Sequence, residues 1–197
     1  MFSLRQPTDD DIRRALDAQS RKPFTYAQVG AIEGAWPAGF LTNRVKVPLG
    51  TGKAVFDAAA TALRNWRQFD VDWVRLCWPS IAPEPGAQVG ILARACGVWA
   101  LSVSRIVAVI DECDASPARY AIIYGTLPQH VECGEERFQI EWNRDDDTVW
   151  YDVQAFYRPH HPLVRWTWPL TRRFPRKFLR ESAEAMRRAV HHGERRA

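Results

Sequence analysis

A chain of 197 residues with 46% hydrophobic and 25% charged residues has the balance of an ordinary soluble globular protein, large enough to bury a substantial core as one domain. No segment has the length and apolarity of a membrane span, and the start, "MFSLRQPTDDD", lacks the apolar run of a signal peptide, so a cytoplasmic location is expected. Net charge is +4, but from Arg158 onward eleven Lys or Arg face three Glu, a local +8, leaving −4 for the rest (16 basic, 20 acidic).

In chain order, Thr8 before "DDD" and Ile12, Ala15 and Leu16 reads as a short capped helix, with acids at its positive end. A Gly- and Pro-rich loop follows, and "FLTNRVKVPLG" predicts a strand over Phe40 to Val47. "GTGKAVFDAAATALRNWRQF" is the clearest helix, with Phe56, Ala59, Ala60, Leu63 and Trp66 on one stripe. From there the period changes. "VDWVRLCW", "AQVGILARA", "VWALSVSRIVAVIDE", "RYAIIYGT", "CGEERFQIEW" and "TVWYDVQAFYR" predict strands, divided by turn residues. Their connections are too short for crossover helices, so the sheet is predicted to be antiparallel. The end returns to helical spacing, with Leu163, Trp166, Leu170, Phe174, Phe178, Met186 and Val190 on one stripe broken at Ser182, and Pro169 and Pro175 expected to kink its first half.

The predicted class is therefore α+β: a curved antiparallel sheet wrapped around a long C-terminal helix. The division is an N-terminal helix and loop over residues 1–35 and a core over 36–197. A twisted sheet curling around a helix leaves a gap wherever side chains fail to meet. The basic end can instead be a solvated helix face or an adaptor for anionic lipid or nucleic acid. No specific nucleic acid is predicted, and both monomer and homodimer are compatible with the pattern.

"VGAIEGAWPAGF", "WPSIAPEPGAQVGILARACGVWALSVSRIVAVIDE", "YAIIYGTLPQHVECGEERFQIEW" and "VWYDVQAFYRPHHPLVRW" together resemble uncharacterised protein family 0548, from about Phe24 to near the end. That family carries no assigned activity. The element order and the ending "PLVRWTWPL…FLRESAEAMRRAV" look more distantly like the START-like helix-grip superfamily, which includes polyketide cyclases and birch-pollen-allergen-like proteins. The resemblance implies a pocket for a small hydrophobic molecule between sheet and helix, and in a minority of members an enzyme of the cyclase, dehydratase or isomerase kind.

The densest chemistry is in "YGTLPQHVECGEERF". A helix-grip arrangement implies neighbouring strands over Arg119 to Thr126 and Val131 to Trp142. Alternation puts Phe138, Ile140 and Trp142 on the apolar face and carries Glu136, Gly134 and Glu132 there too, while Arg137, Gln139 and Glu141 are expected to meet water. A carboxylate on an apolar face must be paired, hydrogen-bonded or protonated. Glu136 is therefore either a polar anchor or base beside Tyr124, or a group locked to turn amides or an arginine. Glu136 and Tyr124 are the candidates for catalysis. Tyr124, Glu132, Glu136, Phe138, Trp142, Tyr151, Phe174 and Phe178 are the candidates for ligand binding. The inward face of the strand over 148–157 is undetermined, because both alternating sets hold aromatics.

Several sharper motifs fail on spacing. The triplet "HVE" lacks the P-C-x-x-C of a zinc deaminase. His130 and Cys133 point to opposite faces and read as a turn histidine and a small apolar cysteine. "GTGK" has Val47 and Ala54 where a phosphate loop needs glycine and Ser or Thr, leaving a helix start that could at most hold a passing anion. The adjacent histidines of "PHHP" and "VHHG" read as exposed turns, and Cys77, Cys96, Cys113 and Cys133 form no C-x-x-C pair. No metal and no cofactor are predicted.

Overall fold

Thr8 begins the first helix as its sequence predicts. Its hydroxyl accepts from the Asp11 amide, and the Asp11 carboxylate accepts from the Thr8 amide, closing a capping box on α1 (Asp9–Gln19). The computed structural model describes residues 1–78 and 82–194. Pro79, Ser80 and Ile81 of the "WPSIAPEPG" stretch lie outside the described residues, as does the last end of the basic tail.

Among the described residues eight strands make one sheet. They are β1 (Phe2–Ser3), β2 (Leu41–Thr51), β3 (Val74–Cys77), β4 (Gln88–Ala95), β5 (Val98–Glu112), β6 (Ala118–Thr126), β7 (Glu132–Trp142) and β8 (Thr148–Pro159). Their order is β2-β8-β7-β6-β5-β4-β3, with β1 added to β5, and every pairing is antiparallel. Register shifts at Pro48/Gly50 in the β2–β8 ladder and at Ile106/Ala108 in the β5–β6 ladder are the kind of irregularity that bends a sheet.

Two helices fill the concave face. α2 (Gly52–Arg64) buries Phe56, Ala59, Ala60 and Leu63, its predicted stripe. Its first amide, that of Gly52, is bonded to the Asp147 carbonyl at 2.9 Å, so the "GTGK" helix start already has an acceptor there. The C-terminal segment divides into α3 (Pro162–Trp166), α4 (Trp168–Thr171) and α5 (Arg173–Glu194). Helix α5 places Leu179, Ala183, Met186 and Val190 in the same core as Phe138, Ile140, Tyr151 and Val153. Buried Ser182 interrupts the stripe for a reason: its hydroxyl is 2.6 Å from the Tyr151 hydroxyl, so each polar atom partners the other.

The first half of the predicted stripe stays outside the packed core. Trp166, Leu170 and Leu163 are exposed, because breaks at Thr167 and Arg172 reset the helical phase before α5 begins. Pro169 sits in the first turn of α4. Pro175 falls in the first turn of α5, where no intrahelical donor is missed, so it starts the helix instead of kinking it. "VHHG" belongs to α5, and His161 of "PHHP" caps α3 by accepting from the Leu163 amide.

The convex face is covered as well. α1 packs Ile12 and Ala15 on Leu92, Leu101 and Cys77. A strap over residues 24–40 packs Tyr26 and Ile32 on Ile123, Cys133 and Phe156. This overturns the expectation that Arg137, Gln139 and Glu141 meet water: Arg137 and Gln139 are buried and Glu141 is half-buried. Charged groups are tolerated there because they are paired. Arg137 reaches Glu33 at 2.5 Å and Asp152 at 3.5 Å, and Arg44 grips Asp152 with two nitrogens. No helix among the described residues is long and apolar enough to cross a membrane.

Candidate functional site

Between the concave face and α3 to α5 the side chains do not meet, leaving a cavity of about 450 Å³. Phe69, Trp73, Ile91, Ala93, Phe174 and Phe178 supply its apolar wall. Tyr124, His130, Glu132 and Glu136 bring polar groups to it from β6, β7 and the turn between them, and Arg173 brings one from α5.

The alternation of β7 sets this up. Glu132, Gly134 and Glu136 face inward, while Cys133 and Glu135 face the strap. Gly134 permits the close passage of β8: with φ +153, a Cβ there would lie 1.9 Å from the Phe156 carbonyl oxygen. Outward-facing Glu135 accepts from the Tyr26 hydroxyl at 2.8 Å and from the Gly30 and Ile32 amides. Gly125, with room for the Tyr26 hydroxyl and no more, makes that reach possible, since a Cβ there would lie 2.0 Å from it.

Inside, Tyr124 lies opposite Glu136 in the ladder, and its hydroxyl donates to that carboxylate. Burial pushes Glu136 up to about 7, against the pull of the Tyr124 hydroxyl, which favours the ionised form. Burial, and then the Glu136 charge, push the Tyr124 phenol well above its ordinary value, so it remains a donor. Glu132 is pushed up to about 8, first by burial and then by the charge of Glu136. His130 accepts from the Glu132 amide at 3.0 Å through Nδ1, and burial pushes it down to about 4, so its ring is neutral at pH 7.

Residues 25–185 match the domain of unknown function DUF1990. The chain belongs to this family. Its relatives include a UPF0548 protein of Dictyostelium discoideum, 35% identical over 96% of each chain. A UPF0548 protein of Deinococcus radiodurans is 34% identical over 96% of this chain and 99% of its own. One of Arabidopsis thaliana is 32% identical over 77% and 74%. Among solved structures, a START superfamily protein from Mycobacterium smegmatis is similar at 13% identity and TM-score 0.49, over 78% of this chain and 97% of that one. The helix-grip arrangement of this DUF1990 member is read from its own strand order and its long final helix.

Of the residues predicted from sequence, Tyr124, Glu132, Glu136, Phe174 and Phe178 line the cavity. Phe138, Tyr151 and Trp142 do not. Phe138 is fully buried between Tyr124 and Phe178, and Tyr151 is fully buried against Ser182. Trp142 stands at the far end of β7, stacked near Phe56 and bonded to Asp147 at 2.9 Å. The physical reason is that α2 and the second half of α5 fill that end of the sheet, confining the cavity to the end near the Leu127–Val131 turn. On β8, Val149, Tyr151, Val153, Ala155 and Tyr157 form the inward set.

His130 is the main omission from the sequence reading. It stands in the turn, as its sequence reads, and lines the cavity from there. The available signal was its spacing of two from Glu132 and six from Glu136, which continues the inward alternation one step beyond the strand.

Proposed function

We propose that this family member binds a small, largely apolar molecule in the cavity between the sheet and its C-terminal helices. One observation carries the reading: an apolar-walled space of about 450 Å³ with a small number of polar groups, among them Tyr124, Glu132 and Glu136, the usual make-up of a small-molecule site. The apolar wall supplies affinity and the Tyr124–Glu136 pair supplies orientation. Native mass spectrometry of the chain purified from its host tests this. The expected result is a retained or readily loaded one-to-one complex with an apolar compound, and persistent absence of any such complex contradicts it.

A second reading, an acid–base enzyme, is favoured by one further observation: Glu136 and Tyr124 share that cavity, and Glu136 titrates near 7. A carboxyl with that midpoint can accept a proton at neutral pH, and a positioned base of this sort typically contributes about 10²–10⁴-fold. Transfer of solvent deuterium into a bound enolisable ketone, abolished in Glu136→Gln, is the expected outcome. Equal exchange in the variant removes this reading and leaves the binding role intact.

A further inference from the structure

We propose that the occupant of the cavity carries a basic nitrogen, held as an ammonium against the Glu132 carboxylate while its apolar body lies against the aromatic wall. This rests on the cavity being a binding site, and it names the ligand class.

The argument starts from how the chain treats its other enclosed carboxylates. Glu135 receives three donors. Asp152 is held by Arg44 and Arg137. Glu181 accepts from Trp73 Nε1 and pairs with Lys177. Glu136 has the Tyr124 hydroxyl. The Glu132 carboxyl alone among these has no hydrogen bond or ion pair to any described residue, and it faces the cavity.

The groups around it do not offer a substitute. His130 uses Nδ1 on the Glu132 amide and is uncharged at pH 7. From β8, the Tyr157 hydroxyl accepts from the Asn43 side-chain amide and makes no bond to Glu132, and Tyr151 is bonded to Ser182. From β6, Tyr124 serves Glu136. Arg173 lines the wall but is exposed and stacks on Phe174, Arg176 reaches Asn43, and the Met1 ammonium donates to the Leu101 carbonyl. Glu132 and Glu136 share one wall, and among the described residues no cation bonds either of them, so ionising Glu132 there calls for a partner from outside. A cation that enters with the ligand is that partner.

Organic ammonium fits better than a metal ion, because no third His, Cys, Asp or Glu converges on the pair among the described residues. The opposite wall favours it too. Phe69, Trp73, Phe174 and Phe178 line the same cavity, and aromatic rings attract cations, as Lys177 over Trp73 and Arg173 over Phe174 already show. The predicted class is an apolar amine with one or two rings.

A matched pair of probes tests this: 2-(1-naphthyl)ethylamine and 2-(1-naphthyl)ethanol, titrated calorimetrically into the intact chain at pH 7 in two buffers of different ionisation enthalpy. The expected result is an amine preference of about tenfold to a hundredfold, the range of one charge-assisted hydrogen bond. Proton release should accompany the amine and not the alcohol, as Glu132 ionises to meet it. Glu132→Gln should lose both the preference and the proton release while still binding the alcohol, which also shows that the variant is folded. Equal binding of the two probes by the unmodified chain overturns the amine assignment and leaves the cavity reading standing. Binding of neither overturns both.

Discussion

Tyr124 and Glu136 are register partners in the β6–β7 ladder, and the phenol of one donates to the carboxylate of the other inside the cavity. The bond favours the ionised carboxylate, so Tyr124→Phe is expected to move the Glu136 midpoint above about 7. Carbon-13 titration of the glutamate carboxyls by NMR reads this directly. A downward or absent movement contradicts the pairing. The stability cost at pH 8 is about 1 kcal/mol, that of one side-chain hydrogen bond.

Stability should fall as the solution becomes more alkaline through neutrality. Glu132 and Glu136 have native midpoints of about 8 and about 7 against an ordinary 4.5, so the folded chain holds protons that the unfolded chain has released. Their contribution is fully present below about 4.5 and is lost as pH rises through 7 and 8. His130, depressed to about 4 from 6.5, acts oppositely: its contribution is present above 6.5 and lost as pH falls toward 4. Thermal melts from pH 6.5 to 9 should therefore show a falling Tm, and Glu132→Gln should flatten the decline. A Tm that rises over this range contradicts the assignment.

On the convex face, Glu135 ties the strap to the sheet through Tyr26, Gly30 and Ile32. Glu135→Ala leaves those donors without an acceptor and is expected to cost roughly 2–4 kcal/mol. Hydrogen exchange should report the loss first at the Gly30 and Ile32 amides. Unchanged protection there would show that the strap is held by its apolar contacts alone.

The outward turn of α3 and α4 separates two residues that sequence spacing puts on one stripe. Met186 is fully buried and Trp166 is 85% exposed. Met186→Ala is expected to destabilise by about 2–5 kcal/mol and Trp166→Ala by under about 0.5 kcal/mol, as denaturant unfolding measures them. Comparable costs contradict the described packing.

The meander of β3 to β8 was legible because each strand carries its own β-branched run and each connection is too short for anything but an antiparallel return. The inward set of β7 followed from alternation, which led to Glu132, Glu136 and, across the ladder, Tyr124. Arg137 and Gln139 read as water-facing because buried and solvated polar groups look alike in a sequence. What buries them is the strap around Tyr26 and Ile32, more than a hundred residues away. Phe138 and Trp142 stand on the face that alternation gives them, but at the end of the sheet that helices fill. Where helices fill a sheet depends on helix phase, and the breaks at Thr167 and Arg172 reset it. The inward side of β8 stayed open because Phe156 is as apolar as Tyr157, and only the strap gives Phe156 a core of its own.

The most direct test is equilibrium binding of a neutral apolar fluorophore, N-phenyl-1-naphthylamine, to the unmodified chain and to Ala155→Phe, which adds a ring to the cavity wall opposite Glu136 in the β7–β8 ladder. Saturable one-to-one binding by the first, weakened at least about tenfold in the second while near-ultraviolet circular dichroism stays native, is the predicted result. No saturable binding by the unmodified chain, or equal binding by a folded Ala155→Phe chain, would contradict a ligand held between the sheet and its final helices.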